Sequence, residues 1–140
     1  MARIAQALAL GLKAGDCVAL HGDLGAGKTT LARALIRAFA GDDTVEVVSP
    51  TFSLVQTYDC GRGCIEHFDL YRLKGPEDVE EIGLGAEGAS VIRIIEWPDH
   101  LGEARAGNRL DIVFSETGLG ATRSLELIPA GTMLDRKSVV

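Results

Sequence analysis

The chain has 140 residues, 46% of them apolar and 24% charged, and its 14 Lys and Arg stand against 20 Asp and Glu for a net charge of −6. This length holds one hydrophobic core and one domain, the apolar fraction excludes a disordered chain, and the acidic balance disfavours direct, tight binding to tRNA or DNA. The apolar stretch Ile4 to Leu12, interrupted by Gln6 and Gly11, is too short to span a bilayer and carries no signal-peptide cleavage pattern, which points to the cytoplasm and away from a membrane.

In chain order, Ile4, Ala5, Leu8 and Leu12 fall near one helical face and Gly15 follows as a stop, so the spacing predicts a helix within residues 1–15. "CVAL" (17–20) reads as a buried strand and runs into a glycine-rich turn, after which "TTLARALIRAFAG" places Leu31, Ala34, Leu35, Ala38 and Phe39 at helical spacing. "VEVV" (45–48), "SLVQTY" (53–58) and "CIEHFDLYR" (64–72) are strand candidates, the last two joined as a hairpin by "DCGRGC". Pro76 can start a short acidic helix through Ile82, and "VIRII" (91–95) has the unbroken apolar character of a strand covered on both faces. "LDIVFSE" and "RSLELIP" flank the turn "TGLGAT" as a second hairpin, and residues 130–140 read as a flexible tail. Helices interspersed with strands and two hairpins predict a single α/β domain over 1–140, three-layered, with a mixed sheet. Three cysteines in a chain without an export signal, Cys17, Cys60 and Cys64, imply no disulfide framework.

"GDLGAGKT" (22–29) fits G-x-x-x-x-G-K-[ST] and stands between a buried strand and an amphipathic helix, the context that the phosphate-binding loop of P-loop NTPases requires. Its glycines let the backbone N–H groups of Asp23, Leu24, Gly25, Ala26 and Gly27 curl around phosphate oxygens, with the positive end of the helix aimed at the same place. Lys28 is placed to reach the β- and γ-phosphates, Thr29 carries the hydroxyl expected on Mg²⁺, and Thr30 either adds a phosphate contact or starts the helix. "NRLD" (108–111) comes close to a guanine-reading N-K-x-D, but its lysine is an arginine and it stands before a strand instead of at the exit of one. Adenine, hence ATP, is favoured by elimination.

A P-loop nucleotidase also needs an acid near the metal and commonly one to orient the attacking water. Glu96 follows an apolar strand and would lie beside the phosphate loop if that strand runs parallel to residues 17–20; a helix-start carboxylate is the alternative reading. In "HFDLYR" the two-residue period puts His67, Asp69 and Tyr71 on one face and Phe68, Leu70 and Arg72 on the other, with His67 read as an ordinary strand residue. Pro98 predicts extended backbone at Trp97, which presents the chain's single tryptophan near the nucleotide unless it serves as a core anchor.

The ordered set "GDLGAGKTT", "SPTFSLVQTY", "HFDLYRL", "EEIGL" and "IIEWP" resembles the TsaE (YjeE) ATPase family of bacterial tRNA threonylcarbamoyladenosine biosynthesis, over residues 3 to about 128. The resemblance implies an ATP- and Mg²⁺-dependent hydrolase working with the TsaD and TsaB proteins on adenosine 37 of tRNA, so that tRNA is met only through the complex. It also implies that Lys28 binds phosphate, that Thr29, Asp69 and Glu96 lie at the metal and water, that Trp97 is functional, and that Thr51 falls where a switch-type loop approaches the γ-phosphate. The family usually carries a few residues, often an edge strand, before the first helix, so the start reads as truncated. Competing classes are a small-molecule or nucleotide kinase, against which the acidic "EDVEEIGLGAEG" stands because it would repel phosphorylated acceptors, and a nucleotide-gated binding module that does not hydrolyse.

Overall fold

Helix α1 (Ala2–Gly11) turns Ala5, Leu8 and Ala9 inward, and the exposed Leu10 marks its outer side. The computed structural model describes residues 2–22, 27–50, 54–72, 91–98, 108–117 and 122–130. After α1 come β1 (Cys17–His21), α2 (Lys28–Ala40), β2 (Val55–Cys60), β3 (Gly63–Asp69), β4 (Val91–Glu96), β5 (Arg109–Thr117) and β6 (Thr122–Ala130). These strands form one six-stranded sheet in the order β2-β3-β4-β1-β5-β6. Its centre is parallel, with β3 on β4, β4 on β1 and β1 on β5, and each edge is closed by an antiparallel hairpin. The expected mixed sheet of an α/β fold is therefore present. Pro129 is accommodated because β6 is an edge strand. The expected helix from Pro76 to Ile82, the turn at 118–121 and the tail from 131 lie outside the described residues.

Alternation along each strand divides the core. Val18, Leu20, Ile65, Ile92, Ile94, Leu110, Ile112 and Phe114 face α1 and α2, where they meet Leu31, Leu35, Ile36 and Phe39. On the opposite face Cys17, Phe68, Leu70 and Ile95 form a smaller cluster, joined by Leu54, Val55 and Trp97. The central strands are thus apolar toward both sides, as "VIRII" requires. Burial pushes the Cys17 thiol up to about 12, with the Asp111 carboxylate adding to the effect, so this cysteine is an inert packing group. Helix α2 ends at Gly41, whose φ of 68° is left-handed; Gly41 N donates to Ala38 O and Asp42 N to Arg37 O, the paired bonds of a Schellman stop.

One expected strand is absent. "VEVV" runs through 45–48 without a ladder partner among the described residues, although Val45 and Val47 pack on the core while Val48 is exposed. Side chains take the ladder's place: Arg37 Nε donates to Val45 O at 3.0 Å, and the Tyr58 hydroxyl accepts from Val48 N at 3.1 Å and donates to Val48 O at 3.3 Å. Alternation alone shows that one side of a segment is covered, and a strand additionally needs a free edge to pair with. The other strands differ from expectation only at their ends. Notably β3 stops at Asp69, so Tyr71 and Arg72 stand in a turn and not on the strand's two faces.

Candidate nucleotide site

β1 and β4 run parallel with Leu20 opposite Glu96, and β3 lies beside β4 with Asp69 opposite Glu96. The carboxyl ends of three strands therefore meet at the start of α2, the place where open α/β sheets bind ligands. Gly27 is left-handed (φ 99°), which turns the chain into α2 with Lys28 and Thr29 as its first residues. The first turn of a helix of this length offers unpaired N–H groups and a positive dipole end to an anion.

Lys28 is only 4% exposed. Its ammonium donates to Gly22 O and sits 3.3 Å from the centroid of the Trp97 ring, so a carbonyl and an aromatic face together offset the cost of taking the charge out of water. Trp97 stacks in turn on the exposed Tyr71, with centroids 4.8 Å apart and planes tilted by 51°. The extended backbone expected at Trp97 does not occur: its φ is 59°, in the left-handed region. Pro98 disfavours the right-handed helical region but does not fix the backbone, and the indole's contacts with Lys28, Tyr71 and the second core cluster hold a conformation that costs about 1–2 kcal/mol. Trp97 is thus both a packing residue and a cover over Lys28.

Thr29 Oγ1 donates to Glu96 Oε1 at 2.9 Å, and Glu96 Oε2 lies 2.7 Å from His67 Nε2. Glu96 is 2% exposed and His67 fully buried. Asp69, half-buried, accepts a hydrogen bond from Tyr71 N at 3.0 Å through Oδ1. Its own N–H donates to Leu54 O, and Leu70 N donates to Glu96 O, which ties the two acid-bearing strand ends together. Leu54 is the other non-glycine residue with left-handed φ, 68°, among the described residues, and its N–H donates to Pro50 O at 2.7 Å.

Lys28, Thr29, Asp69, Glu96 and Trp97 are thereby brought to one end of the sheet, from positions as far apart in the chain as 28 and 97. Thr30 follows them in α2 but is exposed. Asp23, Leu24, Gly25, Ala26 and Thr51 lie outside the described residues. His67 is the residue that sequence reasoning passed over as an ordinary strand position; the signal was its place two residues before Asp69, on the same strand face. The donor set of one hydroxyl and two carboxylates is all oxygen, which suits a hard divalent cation such as Mg²⁺. Among the described residues no three His, Cys, Asp or Glu side chains gather closely enough to hold a metal by themselves.

"NRLD" has other duties. Asp111 Oδ1 lies 2.7 Å from His21 Nε2, and Oδ2 accepts from Arg109 Nε at 2.7 Å, so both oxygens are engaged by the protein's own side chains. Burial alone would raise the Asp111 carboxyl, but the hydrogen bonds from His21 and Arg109 outweigh it and hold the group below the usual carboxylate range. A depressed native pKa contributes stability that is present above the unfolded-state value and is lost as pH falls through the native one. Asp111→Asn should therefore cost about 1–3 kcal/mol at pH 7, and the gap from wild type should close toward pH 3. Urea unfolding at the two pH values measures this; a gap independent of pH would contradict it.

The family model described as "Threonylcarbamoyl adenosine biosynthesis protein TsaE" matches residues 1–125. The tRNA threonylcarbamoyladenosine biosynthesis protein TsaE of Rickettsia conorii is 45% identical over 97 residues, 69% of this chain and 55% of that protein. Its counterpart in Aquifex aeolicus is 38% identical over 97 residues, 69% of this chain and 68% of that protein. The crystal structure of Bacillus subtilus YdiB shares the fold with a TM-score of 0.71 and 29% identity, over 94% of this chain and 79% of that one. The chain thus spans little more than half the length of the Rickettsia conorii relative. Among the described residues no helix is long and apolar enough to cross a membrane. The family match takes in every strand end and loop that carries the candidate site, and on that ground the chain belongs to the TsaE family.

Proposed function

We propose that this chain binds ATP with Mg²⁺ and hydrolyses it in support of threonylcarbamoyl modification of adenosine 37 in tRNA, acting on an assembly of the TsaD and TsaB proteins. The observation that carries the reading is the 2.9 Å contact between Thr29 Oγ1, at the first turn of α2, and Glu96 Oε1, at the end of a parallel neighbour of β1. A hydroxyl beside a strand-end carboxylate is the protein half of a magnesium-nucleotide site. Bound Mg²⁺ would neutralise phosphate charge there, held through Thr29 with Glu96 and Asp69 close by. Lys28 would pair with phosphate oxygens, drawing its ammonium from the Trp97 face to a stronger partner. Glu96, with both oxygens already engaged by hydrogen-bond donors, is set to accept from a water at the γ-phosphate once the Thr29 hydroxyl turns to the metal.

Partner dependence follows from the cations. Three arginines are engaged elsewhere: Arg93 pairs with Glu66, Arg62 lies over Phe39, and Arg109 holds Asp111. P-loop hydrolases without an arginine at the γ-phosphate turn over slowly until a partner supplies charge. The net charge of −6 also favours meeting tRNA through an assembly over gripping it directly. ATP hydrolysis measured with and without TsaD and TsaB tests the reading. Weak turnover alone and a rise of at least about tenfold in their presence is expected. Fast turnover that is indifferent to both proteins would overturn it.

A further inference from the structure

We propose that His67 is a positioning residue for Glu96: its Nε2–H holds one carboxylate oxygen so that the other stays aimed at Thr29 and the phosphate loop. The inference rests on the magnesium-nucleotide reading above and deepens it.

His67 lies on the helix-facing side of β3, two residues before Asp69, and is fully buried. Among the described residues its Nε2 has one partner, Glu96 Oε2 at 2.7 Å, and its Nδ1 has none. That asymmetry fixes the tautomer. A proton on Nδ1 would leave a buried N–H unpaired and set the Nε2 lone pair against a carboxylate lone pair at hydrogen-bond distance. A proton on Nε2 leaves only an unfilled acceptor and donates to Glu96. The ring therefore gives its hydrogen bond to the carboxylate.

The same strand face holds the fully buried Ile65, and an apolar side chain at 67 would extend that surface with no unpaired nitrogen. What histidine adds there is a rigid donor directed at Glu96. The need is specific, because among the described residues the other Glu96 oxygen is held by the Thr29 hydroxyl, a group that the proposed function assigns to the metal. Once that hydroxyl turns away, His67 is the described partner that keeps the carboxylate on its flexible side chain in direction. Partners that orient a metal-site carboxylate in this way are typically worth about 10- to 100-fold in metal affinity or activity.

Equilibrium binding of a non-hydrolysable ATP analogue, with Mg²⁺ and with EDTA, tests the proposal without relying on turnover. The quantity read is the factor by which Mg²⁺ tightens binding. His67→Leu should lower that factor about tenfold or more, with metal-free affinity unchanged. His67→Gln, whose amide N–H can reach Oε2, should restore most of it, and in a Glu96→Ala background His67→Leu should change nothing further. Should His67→Leu not fold, His67→Asn, polar but too short to reach Oε2, replaces it with the same expectations. A purely structural histidine would weaken metal-free and metal-bound affinity alike, and that result, or an undiminished magnesium factor in His67→Leu, overturns the positioning role alone. If wild type itself shows no tightening by Mg²⁺, the magnesium-nucleotide reading fails and takes this inference with it.

Discussion

Glu96→Gln should lower ATP turnover in the presence of the partner proteins by about 10²- to 10³-fold, the usual cost of removing one preorganised group from an active site. The substitution is nearly isosteric. The amide carbonyl can still accept from His67 Nε2, and the amide N–H₂ can donate to Thr29 Oγ1, whose hydroxyl rotates to accept, so the buried pocket keeps its hydrogen bonds and the fold should survive. What is lost is the negative charge and the basicity of a side chain that is 2% exposed and aimed at the first turn of α2. Nucleotide binding through Lys28 and the helix start should fall far less than turnover, because those contacts do not involve Glu96. Single-turnover hydrolysis beside equilibrium nucleotide binding separates the two quantities. Turnover within threefold of wild type would remove Glu96 from the chemistry.

The largest effect on stability is expected from Phe39→Ala, at about 3–5 kcal/mol. Phe39 is 2% exposed and stands near the C-terminal end of α2, within the cluster that joins both helices to the sheet. Its ring also receives the Arg62 guanidinium at 4.4 Å, and a Cβ on Gly63 would lie 3.6 Å from its edge. The side chain therefore fastens α2 to the hairpin of β2 and β3 as well as to the central strands. Alanine would leave a cavity that neighbouring strands are too rigid to fill, and Arg62 would lose its aromatic partner while keeping its bond to Ala9 O at 3.0 Å. Against a total stability of about 5–15 kcal/mol for a domain of this kind, that loss should lower Tm by roughly 10–20 °C. Urea unfolding followed by circular dichroism gives the value. A loss below about 1.5 kcal/mol would mean that Phe39 does not anchor α2.

Much of this architecture is legible along the chain because it rests on local rules. The stretch from 22 to 29 that fits the phosphate-loop pattern is contiguous, so its glycines, lysine and hydroxyl stand together in the chain. The unbroken apolar run at 91–95 marks a strand covered on both faces, and the two hairpins announce themselves through glycine-bearing turns between alternating segments. "VEVV" misled because its alternation is real while its ladder is missing among the described residues: Arg37 bonds the Val45 carbonyl and Tyr58 the Val48 backbone, and no periodicity in the segment itself can reveal that. Trp97 misled for a related reason, since the preference set by Pro98 is weaker than the contacts of a buried indole.

By itself the amino-acid sequence determined a glycine-rich turn that fits the phosphate-loop pattern between a buried strand and an amphipathic helix, two carboxylates at strand ends, and membership of an α/β class, all of which follow from residue type and short-range spacing. Only the tertiary structure decided that β3, β4 and β1 are parallel neighbours in a register that sets Asp69 opposite Glu96 and Leu20 opposite Glu96. It alone joined Thr29, Glu96 and His67 into one hydrogen-bonded chain and laid Trp97 over Lys28. The physical reason is range: helix and strand periodicities act over a few residues, whereas strand order and register are set by which apolar faces bury one another across the whole molecule.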